Sequence, residues 1–139
     1  MLEDLTRKFK YPCVCDIKMG TRQHGDDAAP DKRARHQNKV LTTTSLPLGI
    51  RMCGTQVFQV NDKSYKYTSK YDGRKLTSDN IKDAVADFFF NGAQFRYDIF
   101  LLFLRRLKEF YKAIEEIDSK FRFYSASLLM VYEGIFILI

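Results

Sequence analysis

Apolar and polar positions alternate most clearly near the start of the chain. Across residues 11–19 the odd-numbered Cys13, Cys15, Ile17 and Met19 are apolar, while Asp16 and Lys18 fall on the opposite side. This predicts a strand with one buried face. Segments 49–60 and 63–69 predict two more strands, joined around Asn61-Asp62 as a hairpin. The period then lengthens. Ile81, Val85, Phe88 and Phe89 recur at i, i+4, i+7 and i+8, with Thr77 or Ser78 as a cap and Gly92 as a stop, and predict a helix. The longest helix is expected over 94–117, where Phe95, Ile99, Leu102, Phe103, Leu107 and Phe110 form an apolar stripe. Residues 121–132 predict a mostly buried strand that ends in a Glu133-Gly134 turn. Pro30 opens a short helix over 31–39, Gly20 and Gly25 bracket a polar loop, and Asp72-Gly73 reads as a turn. Residues 1–5 suit a short helix or connector. The sum is an α+β arrangement.

Composition narrows the class. The 139 residues carry 23 Lys and Arg against 17 Asp and Glu, a net charge of +6, and 45% are hydrophobic. That is globular composition, sufficient for one domain or part of a larger one. Three cysteines do not make a disulfide framework and fit a reducing compartment, the cytoplasm or nucleus. No basic-then-apolar leader is read, and the apolar runs 99–104 and 135–139 are too short to span a bilayer, so no membrane partner is expected. Those two runs want more cover than the chain offers. The chain is therefore expected to be a fragment, with 135–139 as a truncation tail.

Two constellations could carry chemistry. Asp16 and Lys18 stand two apart on one strand face. An ammonium that neutralises migrating charge beside a carboxylate that orients a hydroxyl suits phosphoryl transfer. A solvated ion pair fits the same spacing and is the commoner case. In the helix after Pro30, Lys32, Arg35, His36 and Lys39 fall at i, i+3, i+4 and i+7, which makes a cationic stripe. From Lys18 to Lys39, six Lys and Arg stand against three Asp, so 6 − 3 = +3 of the +6 lies there. A solvated basic face and an anion site are equally open readings. His24, Asp26, Asp27 and His36 lack a structural-zinc spacing, and no metal site is read. Lys66 and Lys70 with Tyr65, Tyr67 and Tyr71 fit an amphipathic strand better than a nucleic-acid surface.

Pro12-x-x-x-Asp16-x-Lys18-x-Gly20 resembles the signature of the inositol polyphosphate kinase family. Leu2-Glu3-Asp4-Leu5 with Phe9-Lys10 is similar to the connector where that family holds adenine. Thr21-Arg22-Gln23-His24-Gly25-Asp26-Asp27-Ala28 is similar to the hexakisphosphate branch, and Ser125-Ala126-Ser127-Leu128-Leu129 to the family's Ser-Ser-Leu-Leu strand. Gln56 and Lys70 also favour the hexakisphosphate branch, while Leu2-Glu3-Asp4-Leu5-Thr6 and Ile81-Lys82-Asp83 lean toward the multikinase branch. The resemblance implies a partial protein-kinase-like fold: 1–10 the hinge, 11–134 the first part of the larger lobe, and the N-terminal lobe absent. It implies ATP with Mg²⁺ as cofactor, the Mg²⁺-binding aspartate outside this chain, and an inositol polyphosphate as substrate. Glu3, Asp4 and Leu5 would meet adenine and Asp16 the ribose. Lys18 would stabilise the transferring group, with Asp16 beside it as the second catalytic residue. Lys18, Lys32, Arg35, His36, Lys39 and Lys70 would hold substrate phosphates. Without the other lobe and the metal-binding segment, the chain alone is expected to be inactive. A non-catalytic polyanion-binding module is the alternative from another class, and nucleic acid is not expected as a partner.

Overall fold

The expected strand over 11–19 forms as β1 (Pro12–Met19), with Cys13, Cys15 and Ile17 buried and their neighbours half-buried. The computed structural model describes residues 3–117 and 120–135 of the chain, so Leu2 of the connector and residues 136–139 of the expected tail lie outside the described residues. β1 is an inner strand of a four-stranded antiparallel sheet in the order β3-β2-β1-β4, with β2 (Ile50–Gln59), β3 (Ser64–Thr68) and β4 (Ser127–Glu133). The helices are α1 (Pro30–Leu41), α2 (Ser45–Leu48), α3 (Lys70–Lys75), α4 (Ile81–Phe88) and α5 (Tyr97–Ile117). The α+β expectation stands.

Register decides which side chains share a face. Val14 pairs with Gln56 and Val131, Asp16 with Gly54 and Leu129, and Lys18 with Arg51 and Ser127. The pairing of β1 with β2 shifts between Asp16 and Ile17, which leaves Cys53 as an extra residue, a β-bulge. Because of it Met52 falls opposite Ile17 and Arg51 opposite Lys18. An unbroken ladder would turn Arg51 toward the core side.

The other sheet face is the core. Cys13, Cys15, Ile17, Met52 and Met130 pack with Phe88 and Phe89 from the end of α4. Phe88 meets Tyr132 edge-on at 5.1 Å between centroids, and Phe89 meets Phe100 of α5 at 5.4 Å. The Tyr132 hydroxyl donates to the Phe88 carbonyl at 2.6 Å. α5 rests on this layer through Ile99, Phe100 and Phe103, and Leu101 stays 60% exposed. Between α5 and the sheet lies an open apolar cavity of about 310 Å³, bordered by Ile17, Phe89, Phe103 and Leu107.

Four expectations change. Asp72-Gly73 is not a turn but the middle of α3, because Ser69 and Asp72 form a reciprocal capping box that starts a helix there. α5 begins at Tyr97 rather than Gln94: the Asn91 side chain accepts from the Ala93 and Gln94 amides and holds them in a loop. The α4 entry is organised by Asn80, whose side chain accepts from the Thr77 amide at 2.7 Å, rather than by a Thr77 or Ser78 cap. The last strand starts at Ser127, since Ser125 takes a left-handed φ of 60° and Phe121 and Phe123 are exposed. The one-turn α2 has no counterpart in the periodicity, being too short to show one.

Gly73 lets α3 lie against β2. A Cβ there would stand 2.1 Å from the Met52 carbonyl oxygen. Gly73→Ala gains about 1 kcal/mol of helix propensity but meets an overpacking cost of about 1–3 kcal/mol that backbone cannot relieve. We expect a net loss of stability, read as a lower urea midpoint; an unchanged or higher midpoint would show that α3 is free to shift.

Candidate functional site

The face opposite the core carries the chemistry. Lys18 Nζ donates to the Ser125 carbonyl at 2.8 Å, and Ser125 Oγ donates to the Gln23 carbonyl at 3.2 Å. Asp16 and Lys18 do not pair with each other: Asp16 Oδ1 is buried and has no partner among the described residues. A buried acceptor without a donor is costly. The simple solvated ion pair considered from spacing is therefore absent.

Beside Lys18, three segments converge. α1 starts with Pro30 at its first turn and buries only Val40, which leaves Lys32 and Arg35 exposed and His36 and Lys39 half-buried. Burial first, then the charges of Arg74, Arg51, Arg35 and Lys70, hold the Lys39 ammonium below the ordinary lysine value. Thus α1 (Arg35, Lys39), β2 (Arg51) and α3 (Lys70, Arg74) present one cationic cluster. Lys32 joins it through His36. Burial, then Lys39, Lys32 and His24, lower the His36 value against an opposing pull from the Gln23 backbone.

The side chains of Glu3 and Asp4 are engaged within the connector. Glu3 faces Arg7 at 3.5 Å, the Asp4 carboxylate accepts from the Thr6 hydroxyl at 2.7 Å and amide at 2.9 Å, and Leu5 is exposed. Those Thr6 bonds hold the Asp4 carboxyl below its usual range. The connector enters β1 under the grip of Glu133, whose carboxylate accepts the Lys10 amide at 2.7 Å and the Tyr11 amide at 3.0 Å. That end of β1 is about 20 Å from Lys18 at strand rise.

Sequence reasoning missed Arg51, Arg74 and the role of Gln23. Arg51 is 5% exposed and Gln23 2%. The Gln23 amide donates to Ser45 Oγ at 3.1 Å and to the Gly20 carbonyl at 3.3 Å, and its Oε1 accepts from Arg51 Nη2 at 3.1 Å. An arginine between Ile50 and Met52 inside a predicted strand was the available signal. Among the described residues, no group of three or more His, Cys, Asp or Glu is placed to hold a metal.

His36 gives the site a pH signature. Its value lies below the ordinary 6.5, so below that pH the unfolded chain takes up the proton more readily than the folded one. Stability attributable to His36 is thus intact above pH 6.5 and falls as the pH drops through the lowered value. Melting temperatures measured from pH 7 to 5 should decline less steeply in His36→Gln. Parallel curves would remove His36 from the cluster's electrostatics.

The family model for inositol polyphosphate kinase matches residues 1–135. Among curated relatives, inositol hexakisphosphate kinase 3 from Mus musculus is 43% identical over 96% of this chain and 34% of its own length. Inositol hexakisphosphate kinase 1 from Homo sapiens is 45% identical over 96% of this chain and 30% of its own length. The chain thus spans about a third of the curated relatives it matches. A crystal structure of the inositol phosphate multikinase Ipk2 from S. cerevisiae, in complex with ADP and Mn²⁺, is similar with a TM-score of 0.86 at 32% identity, covering 96% of this chain and 59% of that one. A second inositol phosphate multikinase structure gives 0.80 at 27% identity, covering 96% and 65%. With the family model covering residues 1–135 and relatives 43–45% identical over 96% of its length, the chain belongs to the inositol polyphosphate kinase family.

Proposed function

We propose that the protein transfers the terminal phosphoryl group of ATP to an inositol polyphosphate, with inositol hexakisphosphate as acceptor and a diphosphoinositol phosphate as product. One observation carries this reading: the order of groups along a single sheet face. From the connector end come Val14 and Val131, then Leu129 beside Asp16, then Lys18 beside Arg51, then the cations of α1 and α3. Apolar floor, hydroxyl acceptor, isolated ammonium and polycationic basin follow one another as base, sugar, transferring phosphate and acceptor phosphates do in a kinase complex.

The fit to a nucleotide rests on Asp16. Its half-buried carboxylate, not tied up by Lys18, accepts a sugar hydroxyl. Glu3, Asp4 and Leu5 offer backbone groups to the adenine. Lys18, steadied by the Ser125 carbonyl, keeps two further N–H donors for phosphoryl oxygens and stabilises charge as it moves from donor to acceptor. Lys32, Arg35, His36, Lys39 and Lys70, with Arg51 and Arg74, hold the acceptor's phosphates. Mg²⁺ bound with the nucleotide would supply neutralisation of the phosphate oxygens. The ADP and Mn²⁺ of the similar multikinase structure support nucleotide and divalent metal, and the relatives named hexakisphosphate kinases support the acceptor. Three free cysteines suit a reducing compartment, the cytoplasm or nucleus.

Incubation of a protein that carries this segment at the full length of its relatives with MgATP and inositol hexakisphosphate should yield a diphosphoinositol product, and Lys18→Met there should slow its formation by about 10²–10³. Transfer confined to less phosphorylated inositols would move the assignment to the multikinase branch. Tight binding with no turnover would leave a polyanion-binding module and overturn the kinase reading.

Acceptor affinity tests the basin separately. Each charge-assisted contact is worth about 1.5–3 kcal/mol, so Lys32→Ala with Lys39→Ala should weaken inositol hexakisphosphate binding by at least about a hundredfold in calorimetry. RNA displacing the ligand at equal concentration would show a surface that does not discriminate among polyanions.

A further inference from the structure

Two arginines of this fold are almost fully buried, and they are treated differently. Arg96, 4% exposed, is neutralised: its Nε and Nη2 donate to the two oxygens of Asp98 at 2.9 and 2.7 Å, and Nη1 donates to the Glu133 carbonyl at 3.0 Å. Arg51 is no better exposed, yet among the described residues no carboxylate lies within ion-pair distance. Its partners are neutral: Gln23 Oε1 at 3.1 Å, and Ser45 Oγ and the Lys39 carbonyl both at 3.5 Å, the outer limit of a hydrogen bond. A guanidinium has five N–H donors, so its capacity is far from spent.

A buried charge without a counter-charge is costly, and a side-chain amide can orient it but cannot neutralise it. A glutamate would fit where Gln23 stands, differing by one group. It would also cancel the charge that Arg51 adds to the basin around Lys39. Gln23 itself is bound from every side. Its amide reaches Gly20 at the end of β1 and Ser45 in α2, its Oε1 holds Arg51 in β2, and its carbonyl receives Ser125, whose own carbonyl holds Lys18.

We propose that Gln23 is a neutral clamp, a positioning residue that aims the buried Arg51 guanidinium while leaving its charge uncancelled for an incoming phosphate. The inference deepens the polyphosphate reading and rests on it for the identity of the anion. The charge left on Arg51 is a property of the ligand-free chain as well.

Gln23→Glu separates aiming from neutrality. The new carboxylate accepts from Arg51 and from a rotated Ser45 hydroxyl, so the ligand-free chain should melt no lower than wild type despite losing the bond to Gly20. Its affinity for inositol hexakisphosphate, and for pyrophosphate as a plain anionic probe, should fall about tenfold or more. In an Arg51→Met background the same change buries an unpaired carboxylate, and should lower the melting temperature sharply. Gln23→Met, which keeps the volume without the amide, should lower stability with Arg51 present. If Gln23→Glu destabilises equally in both backgrounds, or leaves pyrophosphate affinity unchanged, the clamp is refuted. If wild type binds inositol hexakisphosphate no better than pyrophosphate while the melting pattern holds, the clamp stands and the substrate assignment fails.

Discussion

The bulge at Cys53 sets the site, because it decides which of two neighbouring side chains faces the core. β1 and β2 pair without interruption from Val14 to Asp16, and then β2 spends one residue without a partner. Met52 is thereby delivered to Ile17 and the core, and Arg51 to Lys18 and the opposite face. Side chains alternate with a period of two, so a ladder without that residue would bury a guanidinium among phenylalanines and expose a methionine beside the ammonium. The cost of either misplacement exceeds what one irregular ladder position loses.

Given that register, the cations crowd. Lys39 feels Arg74, Arg51, Arg35 and Lys70 at once, and those charges together with burial disfavour its own protonated form. Such clustering opposes folding of the empty chain, since like charges repel and partial burial removes the water that would screen them. A ligand with several phosphates reverses the sign of every one of those terms. The strain sits where a polyanion would relieve it, while ionic contacts elsewhere, such as Lys66 with Asp87 and Arg106 with Glu109, are ordinary exposed pairs.

The core side serves as a platform. Phe88 packs edge to face on both Phe89 and Tyr132 beneath β1, and the buried Cys15 thiol is pushed up to about 12 by burial, which keeps it an inert filler rather than a nucleophile. A strand supported in this way holds Asp16 and Lys18 at fixed positions along the face, as preorganised electrostatic stabilisation requires.

Much of this was legible in the residues alone. The alternation of Cys13, Cys15, Ile17 and Met19 determined β1 and put Asp16 and Lys18 on one side, and the i, i+3, i+4, i+7 cations determined the basic face of α1, because both patterns are properties of local geometry. Asp72-Gly73 misled because turn-forming residues also fit a capped helix, and the choice was made by Ser69 and by the close approach of Gly73 to Met52. Only the tertiary structure decided that Arg51 and Arg74 join the α1 stripe, that Asp16 Oδ1 is left without a partner among the described residues, and that Gln23 reaches Gly20, Ser45 and Arg51 together. Those facts depend on a bulge and on contacts between residues tens of positions apart, and no periodicity within one segment encodes which distant segment will lie against it.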